Sequence, residues 1–271
     1  MAKLCNYLNI HANGINQSIE TVNLSDDKNY SDPDATSLEL YQALQRIFQN
    51  RHFPNGYYIS ETKITRAYHN YGLRWLIKNQ ATQTVLVMNM GADYFGISRK
   101  WVKLLAGFSD GDVRDMLRMA RLIGGHMIFP RNIQNLLSDE HTGGLPSVNT
   151  NRGGRPMYDR TDLFLLDLAN YYVGQPYRTK AILKFRDFFD LFQSFKGFID
   201  FFDLGVFVNQ KYEVVNLQLN EPFPEKSNLL DNSQLLCFPT TKEMAQQLVD
   251  HSNSRIYERS LILSHQMLAD S

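Results

Sequence analysis

Cysteine is nearly absent from this chain: Cys5 and Cys237 are the only two among 271 residues. They are too few for a disulfide framework and form no C-x-x-C pair, so the expectation is a chain held by its core in a reducing compartment. Net charge is missing as well. Lys+Arg and Asp+Glu each number 28, which leaves no global field to draw the chain to nucleic acid or to an anionic membrane. No apolar run approaches the ~18 residues that a bilayer requires. The opening stretch is interrupted by Asn6, Asn9 and His11, where a signal peptide needs a continuous apolar segment. A cytoplasmic protein with no membrane partner is expected.

The motifs that carry a known reaction are also lacking. There is no G-x-x-x-x-G-K-[ST] or G-x-G-x-x-G phosphate loop, no H-E-x-x-H, no cysteine and histidine pairs at zinc spacing and no G-x-S-x-G nucleophile. The seven histidines are scattered, and no two stand four apart, so no zinc site is expected. Asp110, Asp112 and Asp115 fall in the first turns of an expected helix, where the helix dipole accounts for them without a metal. No cofactor is implied.

Apolar residues are plentiful, at 43% with 12% aromatic, enough for a substantial core. The polar segment from Asn23 to Thr36 has no periodicity and reads as a loop. Order is expected from Ser37, where Leu40, Leu44 and Phe48 lie on one helix face. Asn55-Gly56 makes a turn. Trp75 to Ile77 and Val85 to Met88 read as a β-hairpin. Asp110 to Leu122 reads as a helix stopped by Gly124-Gly125, and Met127 to Phe129 as a short strand. The stretch from Ser138 to Met157 holds four glycines and two prolines, which makes a long loop of the kind that often carries function. Helices are expected from Asp159 to Val173 and from Thr179 to Phe195. Val206 to Leu219 is strand-like, and two helices, Thr241 to His251 and Ser254 to Leu268, end the chain. The fold class expected is α+β: a single mainly helical domain with a small β-sheet or hairpin, spanning 37–271 behind an N-terminal segment and polar loop, 1–36.

Chemistry-bearing residues gather between 124 and 162. His126 borders an apolar strand. Asn149, Asn151, Arg152, Asp159, Arg160 and Asp162 surround the start of the 159 helix. Amides and an arginine fork suit a phosphate, a carboxylate or a base edge, and carboxylates can take a proton. The same residues would equally form an Asp/Arg network that fastens the loop to the helix. Gly124-Gly125-His126 admits a phosphate-loop reading, but a helix stop leading into a strand is the plainer one. The phenylalanines from 185 to 207 would make a stacking platform if exposed, although their helical spacing favours core packing. Arg259 and His265 stand at a spacing similar to that in HEPN-type ribonucleases. Arg46 with His52 and Arg121 with His126 match the same loose pattern, which chance alone produces in a chain this rich in both residues.

An ordered series of motifs identifies a family resemblance. Gly-Gly-x-x-x-Phe-Pro (124–130), Asn-x-x-Arg-Gly (149–153), Asp-Arg-x-Asp-Leu (159–163), Asp-Phe-Phe-x-Leu-Phe (187–192) and Phe-Lys-Gly-x-x-Asp-Phe-Phe (195–202) resemble an uncharacterised bacterial family, a domain of unknown function, over roughly 50–260. Members often carry an aromatic residue at the position of Thr161 and a threonine near Phe164, and this chain departs there. The resemblance implies a bacterial cytoplasmic protein with one core, and no reaction.

Two functional expectations follow. The first is a pocket for an anionic ligand, a nucleotide or a nucleic-acid end, in which His126, Asn151, Arg152, Asp159 and Arg160 converge. The second is a non-catalytic protein-interaction component, of the kind found in stress or phage-defence systems, whose exposed phenylalanines bind a partner or a second copy.

Overall fold

The computed structural model describes residues 37–67, 70–94, 122–131, 160–229 and 241–269. The loop expected at 23–36, the body of the 110–122 helix and the 138–157 loop lie outside them.

The first helix, α1 (Leu38–Phe48), starts where Ser37 supplies an N-cap, its hydroxyl accepting the Leu40 N–H at 3.2 Å. Leu40, Leu44 and Phe48 are buried together. This face lies on an antiparallel sheet of four strands in sequential order, β1 (Tyr57–Ala67), β2 (Asn70–Asn79), β3 (Val85–Tyr94) and β4 (His126–Pro130). The β2–β3 turn is held by Asn79, whose side-chain oxygen accepts the N–H groups of Ala81 and Thr82, both at 2.9 Å. Alternation along the strands sorts the two faces. Leu73, Trp75 and Ile77 are buried, while Arg74 and Lys78, at the alternate positions, are exposed.

Next comes α2 (Thr161–Tyr172), closed after Val173 by Gly174 at a φ of 69°. Its first eight residues are all buried, so it is a core helix rather than a surface one. The single helix expected from Thr179 to Phe195 is instead three short pieces: α3 (Lys180–Lys184), α4 (Arg186–Phe189) and a 3₁₀ turn at Asp190–Phe192. Gln193 then reverses the chain at a φ of 60° before α5 (Phe195–Phe201). Phe188, Phe189, Leu191 and Phe192 are all buried. Their i, i+1, i+3, i+4 spacing would suit one helix face, so periodicity alone does not reveal the breaks at Phe185 and Gln193.

The strand-like 206–219 stretch holds a 3₁₀ turn at Gly205–Phe207, and only Val215–Asn216 (β5) forms a strand, paired with Glu221–Pro222 (β6). The two C-terminal helices are one, α6 (Lys242–Ala269), of 28 residues. Its inner stripe runs through Leu248, Ser252, Ile256, Arg259, Leu263 and Met267. The polar members of that stripe made it look solvated in sequence.

The class is α+β, with helix at 45% and strand at 27% of the described residues. That corrects the mainly helical balance. The eleven-residue β1 had no strict alternation to reveal it, and its burial is broken in the same way. No helix among the described residues is long and apolar enough to cross a membrane.

Candidate functional site

At the start of α2 the expected polar cluster takes shape. Arg160 occupies the N-cap position without a side-chain capping bond. Its guanidinium turns back on Asp162, Nε to Oδ1 at 3.0 Å and Nη2 to Oδ2 at 2.9 Å. The pair is almost wholly removed from water, at 2% and 0% side-chain exposure. Asp162 Oδ2 also accepts the Leu217 N–H at 3.0 Å, which anchors the β5 turn to the helix. Among the described residues, Nη1 of Arg160 has no acceptor. The fork is therefore half used.

Two further polar residues on α2 act as fasteners. Asp167 accepts the N–H groups of Arg178 at 3.2 Å and Thr179 at 2.9 Å, together with the Thr179 hydroxyl. Burial pushes its carboxyl above the usual carboxylate range, against the opposing pull of these hydrogen bonds. Asn170 donates to the Ser227 carbonyl at 3.0 Å. Positions 162, 167 and 170 thus each hold a different later segment against one helix.

His126 opens β4 and is fully buried, with Nδ1 3.0 Å from the Leu122 carbonyl oxygen and its ring tilted against Tyr94. The Gly124-Gly125 pair before it forms a 3₁₀ turn after an extended Leu122. The Gly124 N–H donates to the Ser260 hydroxyl at 2.9 Å and the Gly125 N–H to the Leu122 carbonyl at 3.1 Å. Both amides that a phosphate loop would need are occupied. A Cβ added at Gly124 would lie 2.3 Å from the Ile256 carbonyl oxygen, so this glycine is there to let α6 approach.

Arg259 is not a catalytic arginine. It is completely buried, and its N–H groups are consumed by main-chain carbonyls: Nε and Nη2 by Phe202 at 3.1 and 2.9 Å, Nη1 by Gly124 at 2.7 Å and His126 at 2.9 Å. Desolvation draws its pKa down to about 10, leaving it charged at neutral pH. His265 is exposed on the same helix, and Arg46 and His52, at the end of α1 and just beyond it, are exposed too. Phe188, Phe189, Phe192, Phe195, Phe198, Phe201, Phe202 and Phe207 are all buried. They form core, not a stacking platform or a partner surface.

Of the expected site, Arg160 and Asp162 meet, and His126 is committed to the Leu122 carbonyl and Tyr94. Asn149, Asn151, Arg152 and Asp159 lie outside the described residues. Among those described, no three of His, Cys, Asp or Glu gather in a way that would hold a metal ion.

A cleft of about 740 Å³ opens elsewhere, between the end of α1, the turn into β1, α5 and α6. Arg51 forms its floor, donating from Nε to the Ile47 carbonyl at 2.9 Å, from Nη1 to the Phe201 carbonyl, and from Nη2 to Asp203 at 2.6 Å and Gln266 at 2.7 Å. Gln266 returns a bond to Asp203 at 3.0 Å. Sequence reasoning passed over these residues because Arg51 and Gln266 are 215 positions apart and no local pattern joins them.

No curated protein and no solved structure matches the chain. Across residues 19–256 it matches the Family of unknown function (DUF6994), and it belongs to that family.

Proposed function

We propose that this protein binds an anionic group, the phosphate of a nucleotide or of a nucleic-acid end, at the start of α2. The observation that carries the reading is the half-used fork of Arg160, whose Nη1 is buried without an acceptor among the described residues. A buried donor left unmet costs about 1–3 kcal/mol, and an incoming phosphate oxygen would relieve that cost. The helix N-terminus adds its positive end, and Arg160 brings no side-chain cap of its own to compete. Asp159 adjoins Arg160 in the chain, and Asn149, Asn151 and Arg152 lie just upstream as further donors. Asp162 keeps the guanidinium in place. His126 supports β4 and is outside this reading.

The competing interaction reading asked for exposed phenylalanines, and the phenylalanine segments are buried.

Thermal unfolding with nucleotides, short RNA and DNA and sugar phosphates tests the proposal. A binder at a hundred times its dissociation constant should add about 2.7 kcal/mol. Arg160→Lys keeps a cation beside Asp162 but removes Nη1, so the variant should fold and lose that stabilisation. Silence across the panel from well-folded wild-type protein, or stabilisation undiminished in the variant, would refute it.

A further inference from the structure

The cleft above Arg51 is a second place where chemistry is assembled, remote in sequence from the α2 start. Its volume of about 740 Å³ falls within the span of small-molecule sites, about 300–1,000 Å³. Its charges are balanced in place. Asp203 is paired with Arg51, and Asp200, which lines the same wall, is paired with Lys196 one helical turn away. A phosphate would meet two carboxylates and a divalent cation would meet a guanidinium, so neither is suited to it.

Hydrogen-bonding capacity remains after that pairing. Asp200 takes Lys196 and, at 2.8 Å, the Tyr212 hydroxyl, while Asp203 takes Arg51 and Gln266. Each carboxylate has lone pairs beyond these. Asn50 and His52 also border the cleft, exposed. The Asn50 amide makes no hydrogen bond among the described residues, and Arg51 Nη1 holds a second N–H beyond the one given to Phe201. Acceptors and donors thus stand together in the cleft, beside the apolar Phe53 and Phe201, whose rings stack at 4.5 Å. The hydroxyl group donates and accepts at once, and adjacent hydroxyls are a familiar partner of a carboxylate.

The frame is set before any ligand arrives. Asn50 and Asp203, both lining residues, are held at φ values of 63° and 52°, in the left-handed region though neither is glycine. Each directly follows a helix C-cap, Gln49 and Phe202, where the left-handed residue closes the helix and fixes the side chain's place at the rim.

We propose that this cleft is a binding site for a neutral ligand that presents a vicinal diol, with Asp200 and Asp203 as acceptors and Asn50 and Arg51 as donors. A saccharide and the ribose of a nucleoside both offer that group. Saturation-transfer NMR on the full chain separates them, with maltotriose, cellotriose and triacetylchitotriose in one arm and adenosine, guanosine, cytidine and uridine in the other. Two variants accompany it. Asn50→Gly removes the amide and keeps the left-handed backbone, and Asp200→Asn keeps the shape and removes the charge. Signal is expected from one arm, with affinity about tenfold weaker in Asp200→Asn, the loss of one good hydrogen bond. Inorganic phosphate should not displace the ligand, and Arg160→Lys should leave binding intact, which keeps this site distinct from the one at α2. No transfer in either arm, affinity unchanged in both variants, or displacement by phosphate would overturn the proposal.

Discussion

Arg259 is the residue on which most of the interior depends. A buried guanidinium facing main-chain carbonyls in place of a carboxylate joins three segments at once: the turn at Gly124, the start of β4 at His126 and the end of α5 at Phe202. Lysine carries the same charge but has three donors from one point, not five in a fork. Arg259→Lys should therefore lose about 3 kcal/mol by leaving buried carbonyls unmet. Urea unfolding measures it, and a loss below about 1 kcal/mol would show that water or repacking takes over. In sequence this arginine stood at a ribonuclease-like distance from His265. Its use by carbonyls is invisible there, because carbonyls are common to every residue. Asp162 was legible as a carboxylate at a helix start, whereas its bond to Leu217, 55 residues on, was not.

Elements were easiest to foresee where one face alone is apolar. The first helix, the β2–β3 hairpin and β4 follow from periodicity and turn residues. The stretch from Thr179 to Phe195 did not, because its apolar residues keep a helical spacing while the backbone breaks at Phe185 and turns at Gln193, leaving Leu183 exposed. In α6 the obstacle was opposite. Ser252, Arg259, Ser260 and Ser264 are buried in it, so polar residues stand where a pattern reader expects apolar ones. Small residues let that helix sit close to the Gly124 turn, where a Cβ would lie 2.5 Å from both the nitrogen and the hydroxyl of Ser260. Gly124→Ala should cost about 1–3 kcal/mol by forcing α6 outward. Thermal unfolding reads this directly, and an unchanged melting temperature would mean that the turn yields more easily than its contacts suggest.

Across the whole molecule, one apolar cluster runs from Leu40 on α1 through the sheet, α2 and the phenylalanine segments to Met267 on α6. A core shared so widely should melt as a unit. Far-ultraviolet circular dichroism and tryptophan fluorescence are expected to follow one coincident transition, and two separated transitions would divide the 37–271 unit into independent parts. A core of this size was foreseeable from composition. The cleft was not, since its walls come from opposite ends of the chain. The same long reach governs how the protein is made. The carbonyl of Gly124 leaves the ribosome 135 residues before the arginine that it will hold. At ~5–20 residues per second that is a delay on the order of ten seconds, during which the sheet stands without its closing helix. For that interval the apolar surface that α6 will cover is open, the kind of surface on which nascent chains aggregate.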